Sequence, residues 1–455
     1  MKKQLLFIVF TFCACINVFS QEQKNATYSG GIEALGFVAN EELPFWAYTN
    51  TYGRLGEDSN GLVYAFAKAN YKLSENSTIT LGASGIARDG IDPNIQRAEL
   101  YANFKNKWID VTVGSKDFTD DTYQLSTVRR NILFSSNSRA LPGILIKNAK
   151  PIKVFKNFSI DAAIAHYALN DDRFVEDTRV HYKNFYINWD INSKNNLSVG
   201  LQHAVQWGGT SPERGKQPDG FSDLVKIFFG SGGGEEATSS DQINSLGNHL
   251  GSYSVTYKRR GSKLVDIDVY YQSLFEDRSG IELNNFPDGV WGVSIAPKSS
   301  KLIKTVLYEY VQTVSQSGSP VATQIGGQQS GGDNYFFNGT YVSGWTYEGR
   351  TIGLPFITID ATENENLPVN NRSVAHHLGI LGSFWKLDYT FKLTYLENSG
   401  TFRTPITPKD TFVYTYLQAR LPIEKIGVFS LNLGADFNED RDTFFGAGLG
   451  YRYTF

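Results

Sequence analysis

The stretch KLDYTFKLTY, residues 386 to 395, alternates polar and apolar side chains without interruption. One face carries apolar groups at every second position from Leu387 to Tyr395, and the other carries Lys386, Asp388 and Lys392 between threonines. A period of two predicts a β-strand. Ionised groups in mid-strand opposite an aromatic face are typical of a wall with lipid on one side and a wet lumen on the other. A soluble β-sandwich also alternates, so this strand alone leaves both folds open.

The same alternation recurs along the chain in about eighteen segments. We predict strands at 28–38, 61–73, 77–88, 96–105, 108–116, 142–148, 158–168, 181–191, 197–207, 249–260, 263–274, 289–297, 301–314, 372–383, 386–397, 411–421, 427–438 and 443–455.

The links between these strands sort by length. Links after even-numbered strands are short, whereas those after odd-numbered strands include every long one: 39–60, 117–141, 208–248, 275–288, 315–371 and 398–410. Short turns at one rim and long loops at the other are typical of an outer-membrane barrel with both ends in the periplasm, and a sandwich has no reason to show them. The predicted fold class is therefore all-β: a transmembrane barrel of about eighteen antiparallel strands, with long extracellular loops and short periplasmic turns.

The N-terminus predicts export. Lys2 and Lys3 precede an apolar run that ends before Ser20, which indicates a Sec signal peptide over residues 1–20. Both cysteines and the only methionine lie in that segment, and its two lysines take the formal charge from −3 to −5 when removed, which excludes a basic nucleic-acid-binding surface. Residues 21–455 then form one barrel domain in the outer membrane of a Gram-negative bacterium, with loops 117–141, 208–248 and 315–371 folding over or into the lumen.

The last predicted strand ends in GLGYRYTF, residues 448–455. Its alternation directs Phe445, Leu449 and Phe455, together with Tyr451 and Tyr453, to lipid, so the membrane itself covers the terminal ring. The lumen-facing positions include glycines 446, 448 and 450, and we expect a loop or a large neighbouring side chain to fill the groove that they leave. Such an ending also resembles the C-terminal signal that the barrel-assembly machinery recognises.

Loop 315–371 combines aromatic rings with amide and guanidinium groups. Aromatic faces stack on the C–H surfaces of sugar rings, and fixed donors bridge hydroxyl or carboxylate groups. The alternative is that the rings fold the loop into the barrel mouth as a structural plug. The candidate polysaccharide contacts are Asn334, Tyr335, Tyr341, Trp345, Tyr347, Arg350, Arg372, His376, Trp207 and Trp291.

Three stretches carry a family resemblance: DNYFFNGTYVSGWTYEGRTIGLPF at 333–356, NRSVAHHLG at 371–379 and GNHLGSY at 247–253. Further matching stretches are YYQSLFEDRSGI at 270–281, DGVWGV at 288–293 and SSNSRALPGI at 135–144. They resemble the Wzi family of capsule-assembly outer-membrane proteins, of which this chain would be a divergent member. The resemblance implies an eighteen-stranded barrel that holds capsular polysaccharide or exopolysaccharide at the cell surface as a lectin. It also implies a periplasmic helical element, which the sequence does not locate.

Other functions have less support. A porin or oligosaccharide transporter is the first alternative, and a barrel enzyme acting on lipid or glycan is the second. We predict no enzyme activity, because the acidic residues of loop 275–288 lie in no catalytic motif. No metal or cofactor is predicted, since the adjacent His376 and His377 point to opposite faces of a strand and the other histidines have no ligand spacing.

Two further expectations concern the surroundings of the barrel. In FSDLVKIFFG, residues 221–230, the apolar spacing and Gly230 predict a short helix that packs under the outer rim or into the lumen. The expected partners are the polysaccharide, outer-membrane lipid and the barrel-assembly machinery.

Overall fold

A computed structural model describes residues 25–117, 124–234, 237, 245–276, 278–316, 334–360 and 367–455. The predicted signal peptide lies outside the described residues. The barrel strands are β1 (Ala26–Ala39), β2 (Gly61–Ser74), β3 (Ser77–Arg88), β4 (Ile95–Lys105), β5 (Ile109–Ser115), β6 (Gly143–Asn148 and Ile152–Phe155), β7 (Phe158–Ala168), β8 (Arg179–Asn192), β9 (Asn195–Trp207), β10 (Asn248–Arg259), β11 (Val265–Gln272), β12 (Gly289–Pro297), β13 (Thr305–Gln312), β14 (Ser373–Phe384), β15 (Leu387–Gly400), β16 (Pro405–Ile423), β17 (Gly427–Asn438) and β18 (Phe444–Thr454).

The strands form one closed antiparallel sheet. Each strand pairs with its neighbours in sequence, and β1 pairs with β18 from Gly31 opposite Thr454 to Ala39 opposite Gly446. The sixth strand is interrupted at residues 149–151, and both of its segments pair with β7. The predicted barrel of eighteen strands is therefore confirmed, and closure leaves no sheet edge exposed to hydrocarbon.

Short helices and hairpins occupy the long links. The helices are α1 (Phe45–Tyr48), α2 (Phe221–Phe229) and α3 (Arg278–Ile281). Three two-stranded hairpins pair Thr210–Ser211 with Gly215–Lys216, Thr346–Tyr347 with Arg350–Thr351, and Thr358–Asp360 with Leu367–Asn370. All of these elements follow odd-numbered strands, so within the described ranges we find no helix on the periplasmic side. Helices long and apolar enough to cross a membrane are absent from the same ranges.

The two faces of the wall differ as the alternation predicts. On β17 the outward Phe429, Leu431 and Phe437 are exposed, while the inward Asn432 and Asp436 are buried. An exposed apolar band around a polar interior is stable only when lipid surrounds it. The buried inward side chains also show that the lumen is filled.

The glycines of the closing strand make room for large side chains. A methyl group on Gly446 would overlap Pro44, one on Gly448 would overlap Phe37, and Leu35 occupies the corresponding space at Gly450. Leu35 and Phe37 belong to the neighbouring strand β1, and Pro44 belongs to the loop that follows it. The expectation that a loop or a large neighbouring side chain fills this groove is confirmed.

Two long loops form the core of the lumen. Residues 124–142, from the link after β5, and 334–357, from the link after β13, contribute 15 of the 32 buried residues of one apolar cluster, and inward side chains of the wall supply most of the others. They bind each other through Trp345, whose Nε1 donates to the carbonyl of Leu133 at 2.7 Å, and through Asn137, whose Nδ2 donates to the carbonyl of Thr351 at 3.0 Å. We call these two segments the plug.

Inward polar side chains of the wall anchor the plug. Glu309 on β13 is fully buried and accepts hydrogen bonds from the hydroxyl of Ser126 at 2.6 Å and the amide of Thr127 at 2.7 Å. Gln272 on β11 accepts from the amide of Ile132 at 3.1 Å. Unpaired polar groups are costly when buried, so these bonds define one depth and orientation for the plug.

The structure differs from the predicted pattern in two links. Residues 398–410 were expected to be a long loop, but β15 and β16 extend through most of it and leave residues 401–404 as the link. Helix α2 forms where expected and ends at Gly230 in the left-handed conformation. It lies against the outside of the barrel rather than under the rim or in the lumen, because its buried Ile227 packs on the outward Val205 and Trp207.

Candidate functional site

The aromatic candidates of the long loop lie inside the barrel. Tyr335, Trp345 and Tyr347 have no exposed surface, and Tyr341 is 3% exposed. Stacking on a sugar requires an accessible ring face. Their role as sugar contacts stays a prediction, and their burial favours the structural role that the sequence left open.

Each of these rings has protein partners. Trp345 meets Phe134 edge to face with ring centres 5.3 Å apart. The hydroxyl of Tyr335 donates to Asp288 at 3.1 Å, and that of Tyr341 donates to the carbonyl of Gly208 at 3.2 Å. The rings therefore tie the loop to the wall and to neighbouring loops.

Asp288, one of the acidic residues weighed for catalysis, is a structural acceptor. It is fully buried and accepts from the amides of Ser315 and Gln316 at 3.0 and 2.7 Å and from Nε2 of Gln312 at 3.0 Å. Burial raises the pKa of its carboxyl group, although these hydrogen bonds oppose the shift. Asp288 secures the start of the loop after β13. Asp277, also considered, lies outside the described residues.

Arg372 and Asn334 brace the loop after β13. An Nη2 hydrogen of Arg372 reaches the carbonyl of Val314 at 3.2 Å. Asn334 accepts from Nδ2 of Asn371 at 2.6 Å. Both side chains are partly exposed, but neither borders the cleft described below.

The other three candidates lie on the outer wall. Trp291 stacks on Tyr271 with ring centres 4.0 Å apart, and His376 shares a 2.7 Å hydrogen bond with Tyr308. Trp207 is buried beneath helix α2. Aromatic side chains at these positions are typical of the interfacial girdle of a membrane barrel.

A polar cleft of about 320 Å³ opens among the extracellular loops. Tyr347 and Arg350 are the two predicted residues that border it. Links after β1, β3, β5, β7 and β13 meet there, all of them on the extracellular side. The lining residues are Gly53, Arg88, Ile91, Asp92, Pro93, Gln96, Arg139, Asp171, Asp172, Tyr347, Glu348, Gly349 and Arg350.

A hydrogen-bonded chain of charged groups holds one side of the cleft. Nε of Arg139 donates to Glu348 at 2.9 Å, and Nη2 of Arg139 donates to the hydroxyl of Tyr347 at 3.0 Å. Gln96 donates to Glu348 at 2.8 Å and accepts from Arg88 at 2.8 Å. Bidentate pairing of a guanidinium with a carboxylate fixes both side chains in direction.

The hydroxyl of Tyr347 donates in turn to Asn170 at 2.7 Å. Burial raises the pKa of Tyr347 above its ordinary value, so this hydroxyl stays protonated and available as a donor. Tyr347 thus contributes to the cleft as a support for Arg139 rather than as an exposed ring.

The floor of the cleft is equally ordered. Asp171 accepts from the amide of Glu348 at 2.9 Å and pairs with the buried Arg173 at 3.1 Å. Arg173 also donates to the carbonyls of Thr346 and Gly344, each at 3.2 Å. Arg350 donates to the carbonyl of Leu55 at 2.7 Å.

The sequence did not identify Arg88, Gln96, Asp92, Asp172 and Arg139 as members of one site. Arg88 ends β3, Gln96 lies near the start of β4, and the other three lie in the links after β3, β5 and β7, so no spacing along the chain relates them. Arg139 lies in SSNSRALPGI, residues 135–144, which belongs to the family resemblance, and that was the one available signal.

The part of the chain that the structure describes contains no cluster of metal-binding side chains. No group of three histidine, cysteine, aspartate or glutamate side chains there is arranged to hold an ion. The cleft is instead suited to hydrogen bonding, because guanidinium donors and carboxylate acceptors both line it.

The closed antiparallel wall, its exposed apolar band and the sorted loops define an outer-membrane β-barrel. A scan against protein families matches residues 39–358 to capsule assembly protein Wzi. The chain belongs to this family, which confirms the resemblance inferred from its loops.

Comparison with solved structures agrees on the fold. The chain is similar to Wzi of Escherichia coli, an outer-membrane protein involved in group 1 capsule assembly and a carbohydrate-binding β-barrel, with 13% identity, TM-score 0.58 and coverage of 93% of this chain and 84% of that one. It also resembles OccK3 of Pseudomonas aeruginosa, with 10% identity, TM-score 0.50 and coverage of 95% and 96%. A search of curated proteins found no match.

Proposed function

We propose that the extracellular cleft binds a short stretch of capsular polysaccharide and thereby holds the glycan at the cell surface. The family membership and the carbohydrate binding of the Escherichia coli relative support a glycan ligand. The observation that carries the proposal is the cleft itself, a concave polar site at the extracellular mouth whose guanidinium and carboxylate groups are already ordered.

The chemistry of the cleft suits sugar hydroxyl groups. A hydroxyl both donates and accepts, so it can bridge a carboxylate such as Asp172 and a guanidinium such as Arg350. Ile91 and Pro93 at the same rim supply apolar contact for C–H surfaces. Because the network around Arg139 is formed without ligand, less entropy is lost on binding than with mobile side chains.

The volume of the cleft limits how much glycan it holds. About 320 Å³ lies at the lower end of the ~300–1,000 Å³ typical of ligand pockets, so one or two sugar units fit and the chain continues outside. Such a site grips a polymer at one point, which is appropriate for attachment rather than for conduction through the wall.

A pore function has less support than glycan binding. The plug residues 124–142 and 334–357 fill the lumen and are anchored by buried hydrogen bonds. A porin or an oligosaccharide transporter would need these contacts to open.

Substitution of the exposed rim carboxylates tests the proposal. Asp92→Asn and Asp172→Asn change the cleft without disturbing a buried contact, since both residues are exposed. We expect each variant to bind the purified capsular polysaccharide of the source strain about 10-fold more weakly, equivalent to about 1.4 kcal/mol, by calorimetry or biolayer interferometry.

The matched control is Asp440→Asn, an exposed carboxylate on another extracellular link. It should bind as the wild-type protein does. Unchanged affinity in both cleft variants would show that the glycan does not bind in this cleft. Absence of binding by the wild-type protein would refute the glycan function.

A further inference from the structure

Helix α2 covers a polar band on the outer surface of the barrel. Its Ile227 packs with Val205, Trp207 and Leu246, whereas Ala204, the inward neighbour on β9, belongs to the cluster in the lumen. The helix therefore lies on the lipid-facing side of β8 and β9. Its own Phe221 and Phe229 are 81% and 74% exposed, which suits hydrocarbon and not water.

Four histidines and one lysine on neighbouring strands form the band beneath and beside the helix. His166 on β7 lies opposite His181 on β8, and Lys183, two residues further along β8, lies opposite His203 on β9. His203 contacts His249 of β10 through a 2.9 Å hydrogen bond. Polar groups on the lipid face of a wall are costly, so a band of five across four strands calls for a functional reason.

Two ring nitrogens of the band, Nε2 of His181 and Nδ1 of His203, have no hydrogen-bond partner within the described residues, and neither does Nε1 of the neighbouring Trp207. His181 is 3% exposed and Trp207 is 2% exposed, so bulk water does not reach them freely. An unpaired buried polar group costs about 1–3 kcal/mol. Of the three residues, His203 lines the groove described below, where a polar ligand group could pair with it.

Lys183 supplies the cation of the band. Its ammonium group donates to the carbonyl of Phe228 and lies 4.1 Å from the centre of the Phe228 ring. These contacts orient the group at the C-terminal end of helix α2. A carbonyl and a ring face stabilise the charge without neutralising it, so an anion can still bind there.

A groove of about 660 Å³ runs from this cation along the outer wall. Lys183, His203 and Phe228 line its extracellular end. The rest is almost entirely apolar, with Trp108, Ile109, Ile146, Ile152, Ile164, Phe185 and Leu201 along its length. The groove opens sideways from the wall, where the membrane supplies acyl chains.

We propose that this groove binds one anionic, phosphorylated lipid of the outer leaflet. The acyl chain lies along the isoleucine-rich wall, and the phosphate meets the ammonium group of Lys183 beside His203, beneath Phe228. Charge complementarity selects the headgroup, and the position of the cation towards the extracellular rim selects the leaflet. The lipid would seat helix α2 on the barrel and tie the glycan-holding mouth to the membrane surface.

Native mass spectrometry of the full chain in detergent tests this site. Bisphosphorylated lipid A is the probe, and the same lipid without phosphate is the comparison. We expect retention of one phosphorylated lipid by the wild-type protein, at least 10-fold weaker retention by Lys183→Ala, and little retention of the dephosphorylated form. Lys386→Ala, a lysine beside the Trp385 ring at a periplasmic turn, is the matched control and should behave as wild type.

A second variant tests the acyl groove separately from the cation. Leu201→Trp fills the groove while Lys183 stays in place, so it should reduce retention by a similar factor. Equal retention by wild type and Lys183→Ala, equal retention of the two lipid forms, or a bound protein chain in place of lipid would overturn the proposal. The glycan-binding test uses a different face of the protein, so the two proposals fail independently.

Discussion

Trp345 shows how one side chain can serve the interior of a membrane barrel. It is fully buried, its Nε1 donates to Leu133 at 2.7 Å, and its ring meets Phe134 edge to face. The sequence analysis named Trp345 as a candidate sugar contact and left a structural role open, because an aromatic ring in a polar loop suits both roles. Its burial connects the two halves of the plug.

We expect Trp345→Ala to lower the free energy of unfolding by about 3–5 kcal/mol, because a large buried ring leaves a cavity and an unpaired carbonyl. The midpoint of denaturant-induced unfolding in detergent measures the change. Trp385→Ala is the control, since Trp385 is 78% exposed at a periplasmic turn. Similar shifts for the two variants would contradict the assigned role.

Asp117 predicts a pH dependence of stability. Its buried side chain pairs with Arg54 at 2.6 Å, yet burial outweighs this attraction and raises its pKa from 3.8 to about 6. Between pH 3.8 and about 6, the carboxyl group of Asp117 is protonated in the folded protein and ionised in the unfolded chain. Its stabilising contribution to the free energy of unfolding is therefore fully present below pH 4 and is lost as the pH rises through 6.

The difference in stability between wild type and Asp117→Asn should fall by up to about 3 kcal/mol from pH 4 to pH 7 and then stay constant. Thermal unfolding in detergent over this range measures it. Asp440→Asn should keep the wild-type profile, and a parallel profile for Asp117→Asn would count against the raised pKa.

At the scale of elements, the proposed binding site is built mainly from loops, and the strands support those loops. The strands of the wall depend only on the alternation of polar and apolar side chains. Their inward side chains, such as Glu309 and Gln272, accept hydrogen bonds from the plug and hold it in place. The plug then supports Tyr347 and Glu348, which form one side of the cleft. A rigid scaffold that positions loops is the common arrangement for binding sites.

Removing the Glu309 anchor should loosen the plug before the wall. Glu309→Ala leaves Ser126 and Thr127 without their charged acceptor, which is worth about 1.5–3 kcal/mol per hydrogen bond. We expect amide hydrogen exchange in residues 125–134 to become about 10- to 100-fold faster, with the strands unchanged. Glu397→Ala, which removes a partly exposed outward carboxylate paired with Lys409, is the control. Unchanged exchange in the plug would refute the anchoring role.

At the scale of the whole molecule, the filled lumen separates this protein from open channels of similar architecture. The plug cluster spans the interior, and lumen-facing side chains such as Thr394 and His377 are fully buried. The proposed function uses the extracellular mouth as a binding surface rather than as an entrance.

The wild-type protein should carry no steady current in a planar bilayer. Replacing residues 334–356 with a short glycine-serine link should produce stable single-channel conductance, because the wall closes through its own strands. The control replaces only the outer hairpin residues 210–216, and this variant should remain closed. Steady wild-type current would exclude a permanent plug.

The periodic part of the chain was predictable from local information. A period of two assigns each strand, its faces and its parity, so KLDYTFKLTY, the glycines of GLGYRYTF and the sorted links sufficed for the barrel and its orientation. The loops after β5 and β13 have no such period. Their partners lie up to about three hundred residues away in sequence, as with Arg350 and Leu55.

The sequence by itself therefore determined the eighteen-stranded wall, the closing strand and the family, because these depend on alternation and on local motifs. Only the tertiary structure decided which rings fill the lumen, which five links meet at the cleft, and that helix α2 lies on the lipid side. Those outcomes depend on long-range packing and on pairing of buried polar groups, which no spacing along the chain specifies.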